Sequence, residues 1–346
     1  MTQAPAPTAD TVRRLVGTLL KADRNANGDK KADNGDKKAA NGDKKGGNGD
    51  KKGGNGDDGP GLDVRPVGTG DAPYTWWVGA RQVLRLARDR DTALRQRREL
   101  RLRDLVRPHL PVAVPVSVAH GEWTPGLTYT LDTVVPGVGA EEHDVSALGE
   151  ADLAGMLTGM REVPARHADA LGVPQLAPRS LEALRRMAVQ SAGRLGAADE
   201  FDPDLIQQFP ATAALQLAVQ PGSAVLVHHG LTGERLVLSA EGRVRGVLGW
   251  TDAALGDPAE DIAGLAVAVG SPAAVRAATL AGYGARPCLR GLWLARCDTL
   301  LRLAAAVDGR AEEPLPLLRL RLTRAWEAIL LERVTELRDD AQEKGP

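Results

Sequence analysis

Hydrophobic and polar positions change period several times along the chain. Between Thr11 and Leu20, apolar residues Val12, Leu15, Val16, Leu19 and Leu20 recur at helical spacing behind Asp10, a candidate N-cap. Residues 25–59 then contain only Asn, Gly, Asp, Lys and Ala, apart from the period itself: the unit NGD starts at Asn27, Asn34, Asn41, Asn48 and Asn55. No position of that repeat carries a large apolar side chain, so a coiled coil is excluded and disorder is expected. From about Leu62 the pattern reads strand, glycine turn, strand, turn, strand. Trp76, Trp77 and Val78 end one strand, Gly79 and Ala80 turn, and Gln82 to Leu86 form the next. An Arg- and Leu-rich helix spans about Asp91 to Val106 and stops at Pro108 and Pro111. Two further strands follow, with Gly121 to Gly126 between them.

From Ser146 the period is helical, through SALGEADLAGMLTGMREV, SLEALRRMAVQSAGRL and a helix around Asp204 to Leu217. Residues 224–250 read as a short strand, a loop and a hairpin turned at 240–243. After Asp257 and Pro258 the chain is helical to its end. Its last helix carries Leu322, Trp326, Ile329, Leu330, Val334 and Leu337 on one face. The order predicts an α+β protein with a small β-rich N-lobe and a larger, mainly helical C-lobe. The expected divisions are 1–24, an N-terminal helical segment; 25–60, the low-complexity insert; 61–136, the N-lobe; and 137–340, the C-lobe.

Composition narrows the classes. A 346-residue chain with 43% hydrophobic residues can build two lobes with cores, and at 3% aromatic content those cores are aliphatic. A formal net charge of −1 gives no argument for nucleic acid or an anionic membrane surface. The two cysteines, Cys288 and Cys297, have neither C-x-x-C spacing nor a nearby His cluster, so neither a zinc site nor a disulfide framework is expected. The start of the chain lacks a signal-peptide apolar core, and no run approaches the ~18 apolar residues of a membrane span. The expected location is cytoplasmic.

The chemistry concentrates in residues 224–263, AVLVHHGLTGERLVLSAEGRVRGVLGWTDAALGDPAEDIA. His228, Leu231, Gly246, Val247, Trp250, Asp252, Ala253, Gly256, Asp257, Pro258 and Asp261 stand in a pattern that resembles the catalytic segment of the aminoglycoside/macrolide phosphotransferase family, a branch of the protein-kinase-like fold. The resemblance covers about residues 62–340. It places the family's catalytic Asp at Gly230, its metal-binding Asn at Arg235 and its metal-binding Asp at Gly249. It implies ATP as cofactor and, in the family, Mg²⁺.

Phosphoryl transfer needs a phosphate cradle, a cation on the phosphates, metal ligands and a group that orients the acceptor hydroxyl. The cradle candidate is Gly68 and Gly70, whose missing side chains let backbone approach a phosphate. The cation candidate is Arg85, which the resemblance pairs with Glu99. Asp132 and Thr133 mark the strand end that would contact the purine through backbone. Asp252 is the nearest remaining carboxylate for a metal. His229, beside Gly230, is the remaining acid/base candidate, while His228, Asp257 and Asp261 read as structural.

These residues support two functions. The first is a nucleotide-binding pseudokinase that acts on a protein partner without chemistry. The second is an active phosphotransferase that moves the γ-phosphate of ATP to a small-molecule hydroxyl through a rearranged metal site. A positioned acid/base group is worth ~10²–10⁴ in rate, which Gly230 cannot supply. A third reading, an interaction protein using the 25–59 tether, needs no site at all.

Overall fold

The computed structural model describes residues 6–19, 63–67, 74–219, 222, 224–311 and 313–329. The repeat at 25–59, the glycines Gly68 and Gly70, and the apolar positions Leu20, Leu330, Val334 and Leu337 lie outside the described residues. Contacts divide the chain into a smaller unit, Met1–Gln96 with Ser117–Val134, and a larger one, Arg97–Val116 with Val135–Pro346.

The smaller unit contains helix α1 (9–19) and strands β1 (Val64–Pro66), β2 (Thr75–Val78) and β3 (Gln82–Leu86). The first residues of helix α2 (Arg90–Val106) and strands β4 (Ser117–Thr124) and β5 (Leu127–Thr133) complete it. The five strands pair antiparallel in the order β1-β2-β3-β5-β4. Register places Trp76 opposite Leu84 and Leu84 opposite Leu131. With a side-chain period of two, one face therefore carries Trp76, Val78, Leu84, Leu86, Tyr129 and Leu131, and Val12 and Val16 of α1 close over it. The other face carries Trp77 opposite Val83 and is otherwise mainly polar. There Gln96 donates to the Arg85 carbonyl at 3.1 Å and accepts from Thr128 Oγ1 at 2.5 Å. Gly121, expected in a turn, lies inside β4 opposite Tyr129, whose ring packs where a side chain would stand. The turn falls five residues later, at Gly126, where φ is +79°.

The larger unit is mainly helical. Strand β6 (Val138–Gly139) and helices α3 (Ala147–Glu162), α4 (Ala165–Ala170), α5 (Leu181–Ala197) and α6 (Ala211–Gln216) lead to strands β7 (Val225–Val227), β8 (Leu236–Leu238), β9 (Val244–Val247) and β10 (Ala254–Gly256). Helices α7 (Ala259–Val269), α8 (Ser271–Leu280), α9 (Ala285–Val307) and α10 (Leu315–Ala325) follow. Its sheets are β6-β8-β9 and β10-β7. Ser146 caps α3 by accepting from the Gly149 N–H at 3.2 Å. A single core, with Leu153, Leu195, Ile262 and Leu292 among its fully buried residues, joins these helices.

Three expectations change here. The segment from Asp204 to Leu217 is a 3₁₀ turn, Leu205–Gln208, and then α6; Pro210 splits them because it has no N–H to continue the ladder. Strand β10 has three residues, too few for a period to be read. The last described helix ends at Ala325, where the amphipathic stripe continues. Packing overrides periodicity at that point. The Trp326 ring meets Phe201 at 4.8 Å and Trp293 at 5.8 Å, Trp293 stacks on Phe209 at 4.0 Å, and Arg296 lies 4.6 Å over Trp293. The largely aliphatic core thus contains an aromatic cluster, which holds both phenylalanines of the chain.

Cys288 and Cys297 are both buried and free. Among the described residues no helix is long and apolar enough to cross a membrane.

Candidate functional site

The segment 225–263 folds as strand β7, a loop, the β8–β9 hairpin, a short 3₁₀ turn at Trp250–Asp252, strand β10 and helix α7. Antiparallel pairing of β7 with β10 brings the two ends of the motif together, Val227 opposite Ala254. Asp261, in the first turn of α7, then accepts the backbone N–H groups of both His228 and His229 at 2.8 Å. Burial pushes the Asp261 carboxyl up to about 7 against the downward pull of those two bonds. His229 is thereby held at φ +57°, with its ring exposed. Asp257 is equally buried and forms an ion pair with Arg290 at 2.6 Å, while Arg290 also donates to the carbonyls of Arg179 and Leu217.

His228 has a structural environment. It is fully buried, its Nε2 lies 3.0 Å from the Leu248 carbonyl, and its ring packs edge-on against Trp250 at 4.7 Å. Burial, and then the charge of Arg235, pulls its pKa down to about 4, so the ring is neutral near pH 7. A neutral ring donating from Nε2 carries a bare Nδ1, and that atom is buried without a hydrogen-bond partner.

Arg235 occupies the centre of this site. It ends the 3₁₀ turn Gly233–Arg235, and its carbonyl accepts from the Leu248 N–H at 2.8 Å, which fixes the loop against the hairpin. Its Nη2 donates to Asp252 Oδ2 at 3.1 Å and its Nη1 to the Gly249 carbonyl at 3.4 Å. A Cβ added at Gly230 would fall well inside contact distance of Arg235 Nη1. One added at Gly249 would stand 3.1 Å from both Cδ and Nε of the same side chain. Gly249 is also left-handed, at φ +76°. The guanidinium therefore fills the volume that side chains at 230 and 249 would need. A divalent cation requires hard oxygen ligands and repels a fixed cation. Asp252, the candidate metal ligand, is already paired with Arg235, and no cluster of three or more His, Cys, Asp or Glu suited to a metal exists among the described residues. The residues present do not fit Mg²⁺.

Beside the loop lies a cavity of about 270 Å³, lined by His229, Gly230, Leu231 and Thr232 and by residues of α7, α9 and α10. On its wall Arg179 forms bidentate contacts with Glu260, at 2.6 and 2.8 Å, and with Asp298, at 2.8 and 2.9 Å. Burial raises the Asp298 carboxyl and the Arg179 charge works against that. Sequence reasoning missed this cluster, because Arg179, Glu260 and Asp298 lie far apart in the chain and no motif joins them.

In the smaller unit, Arg85 lies on the polar face of β3, where its Nε donates to Asp132 Oδ2 at 3.0 Å. Thr130 Oγ1 donates to the same oxygen at 3.2 Å. The Asp132 side chain is thus a brace for Arg85, a role beyond the backbone contact expected of it. Thr133 ends β5 opposite Gln82. Glu99, in the larger unit, accepts from Thr251 Oγ1 at 2.7 Å and lies 3.9 Å from Arg103, ion-pairing distance within α2. It thereby ties α2 to the residue before Asp252.

A two-unit α+β arrangement with this motif between β7 and α7 defines a kinase-like phosphotransferase fold. The sequence profile of the phosphotransferase enzyme family, APH, matches residues 63–292, and the chain belongs to that family. The GDP complex of aminoglycoside 2'-phosphotransferase-IIIa superposes with a TM-score of 0.57 at 18% identity, over 77% of this chain and 94% of that one. APH(2")-IIia in complex with GDP and kanamycin gives 0.55 at 16% identity, over 82% and 94%. Macrolide 2'-phosphotransferase MphH from Brachybacterium faecium, as apoenzyme, gives 0.49 at 23% identity, over 79% and 94%. No curated protein sequence matches the chain.

Proposed function

We propose that this protein is a nucleotide-binding pseudokinase of the phosphotransferase family, with phosphoryl transfer impaired at positions 230, 235 and 249. The observation that carries the reading is the Arg235 side chain, packed where side chains at Gly230 and Gly249 would stand and paired with Asp252. Phosphoryl transfer depends chiefly on positioning and on charge neutralisation by metal, and this arrangement supplies neither a metal ligand set nor an acceptor-orienting carboxylate. Binding is a lesser demand. ATP would be held through Arg85, braced by Asp132, with Gly68 and Gly70 as the phosphate turn and the end of β5 at Thr133 as the purine contact. A pseudokinase acts through a partner, and its location is read as the cytoplasm.

A second reading has support from the cavity of about 270 Å³ against His229 and Gly230. Its position beside the loop suits a small-molecule acceptor, with His229 as the base of an active ATP-dependent phosphotransferase. Thermal unfolding with ATP, together with an ADP-release assay, separates the two. Ligand at 100 times its dissociation constant stabilises a fold by ~2.7 kcal/mol. A rise in Tm without ADP release supports the pseudokinase. ADP release that His229→Ala abolishes supports the enzyme, and no ATP response in either assay ends both.

A further inference from the structure

We infer that Arg235 is a resident cation that takes the place of a divalent metal, so that this chain binds the phosphates of a nucleotide without Mg²⁺. The inference rests on the nucleotide-binding reading and adds what holds the phosphates on the larger unit.

Three observations carry it. The guanidinium stands within contact distance of the side-chain positions of both Gly230 and Gly249, the two sites that the sequence resemblance assigns to carboxylates. Asp252, on the separate turn Trp250–Asp252 that begins after Gly249, holds it in place at 3.1 Å as a counter-ion. Finally, the guanidinium is not used up. With one hydrogen on the Gly249 carbonyl and one on Asp252, its Nε–H and remaining Nη hydrogens have no partner among the described residues. The side chain is 30% exposed, so those donors are open to a ligand.

Chemistry favours phosphate as that ligand. Guanidinium presents a planar fork of donors that matches two phosphate oxygens, stays charged at all relevant pH and sheds water more readily than an ammonium. Divalent metal at the same point would face this fixed charge, with Asp252 already paired to it. The neighbouring His228, buried and neutral near pH 7, adds no charge beside Arg235.

The test measures ATP binding to the full chain by calorimetry, once in EDTA and once in Mg²⁺. The expected result is comparable or tighter affinity in EDTA. Arg235→Ala is expected to weaken binding in EDTA by about tenfold or more, the size of one lost charge-assisted contact. Arg235→Lys, which keeps the charge but not the fork, is expected to fall between. Should Arg235→Ala unfold the chain, the Lys variant and the metal dependence of the parent still decide. Binding that requires Mg²⁺, or that is unchanged in Arg235→Ala, overturns the resident cation and leaves nucleotide binding standing. A folded parent with no ATP binding under either condition overturns the nucleotide reading itself.

Discussion

Arg235, at the end of the loop that follows β7, and Asp252, on the turn that follows β9, form an ion pair at 3.1 Å, and the Arg235 side chain sits where two glycines leave room for it. The sequence alone suggests that Gly230→Asp with Gly249→Asp would raise ATP turnover in a merely degraded site. The structure changes that expectation. Both new side chains would meet the guanidinium, and the one at 249 would also take up a left-handed backbone, which costs roughly 1–2 kcal/mol. We expect no gain from the double variant and a Mg²⁺-dependent gain once Arg235→Asn is added, measured as ADP release. A gain in the double variant by itself would show that Arg235 swings aside.

His228, after β7, and Asp261, in α7, are buried titrating groups with opposite pH responses. Asp261 is raised from 3.8 to about 7, so the folded state binds its proton more tightly; its contribution is full at low pH and is lost as pH rises towards 7. His228 is lowered from 6.5 to about 4, so its contribution is full above 6.5 and is lost as pH falls towards 4. Between about pH 4 and 6.5 the two offset one another. Asp261→Asn removes the first and leaves the second. Urea unfolding across this range should show the variant gaining stability with rising pH more steeply than the parent; parallel profiles would refute the assignment.

Asp257 and Arg290 are 4% and 3% exposed and 2.6 Å apart. Removing one partner strands the other charge in the core. Arg290→Ala is expected to cost roughly 3–5 kcal/mol in equilibrium unfolding. Replacing both by apolar residues of similar volume should cost less than the single change, because no unpaired charge remains. A double variant worse than the single would show that the Arg290 bonds to the Arg179 and Leu217 carbonyls matter more than the ion pair.

Trp293 joins Phe209, Trp326 and Arg296 in a chain otherwise poor in aromatic residues. Trp293→Ala is expected to lose roughly 3–5 kcal/mol, the range for deleting a large buried ring. A loss below about 1 kcal/mol would mean that the neighbouring rings collapse into the gap.

Much of the fold was legible because local patterns wrote it. The alternation in Trp76–Val78 and Gln82–Leu86 reports a strand with one buried face, and the spacing in 147–162 reports a helix, since each side chain's direction follows from the backbone period. The legible patterns failed where length or packing outweighed period, at β10, at the helix break before Pro210 and at the end of α10. The candidate site divided in the same way. Gly230, Arg235, Gly249, Asp252 and Asp261 stand in one motif and could be named from it. What could not be read was that the Arg235 side chain lies over both glycines, that Asp132 braces Arg85, or that Arg179, Glu260 and Asp298 share a cavity wall.

The sequence by itself determined most of the elements, the family and the presence of glycine at 230 and 249, because residue identity and spacing are local properties of the chain. Only the tertiary structure decided what fills the space those residues leave. A glycine says that a side chain is missing; it does not say whether water, a metal or a guanidinium stands there. That depends on where the β8–β9 hairpin and the turn at Asp252 carry Arg235, a matter of long-range packing that no short stretch of sequence records.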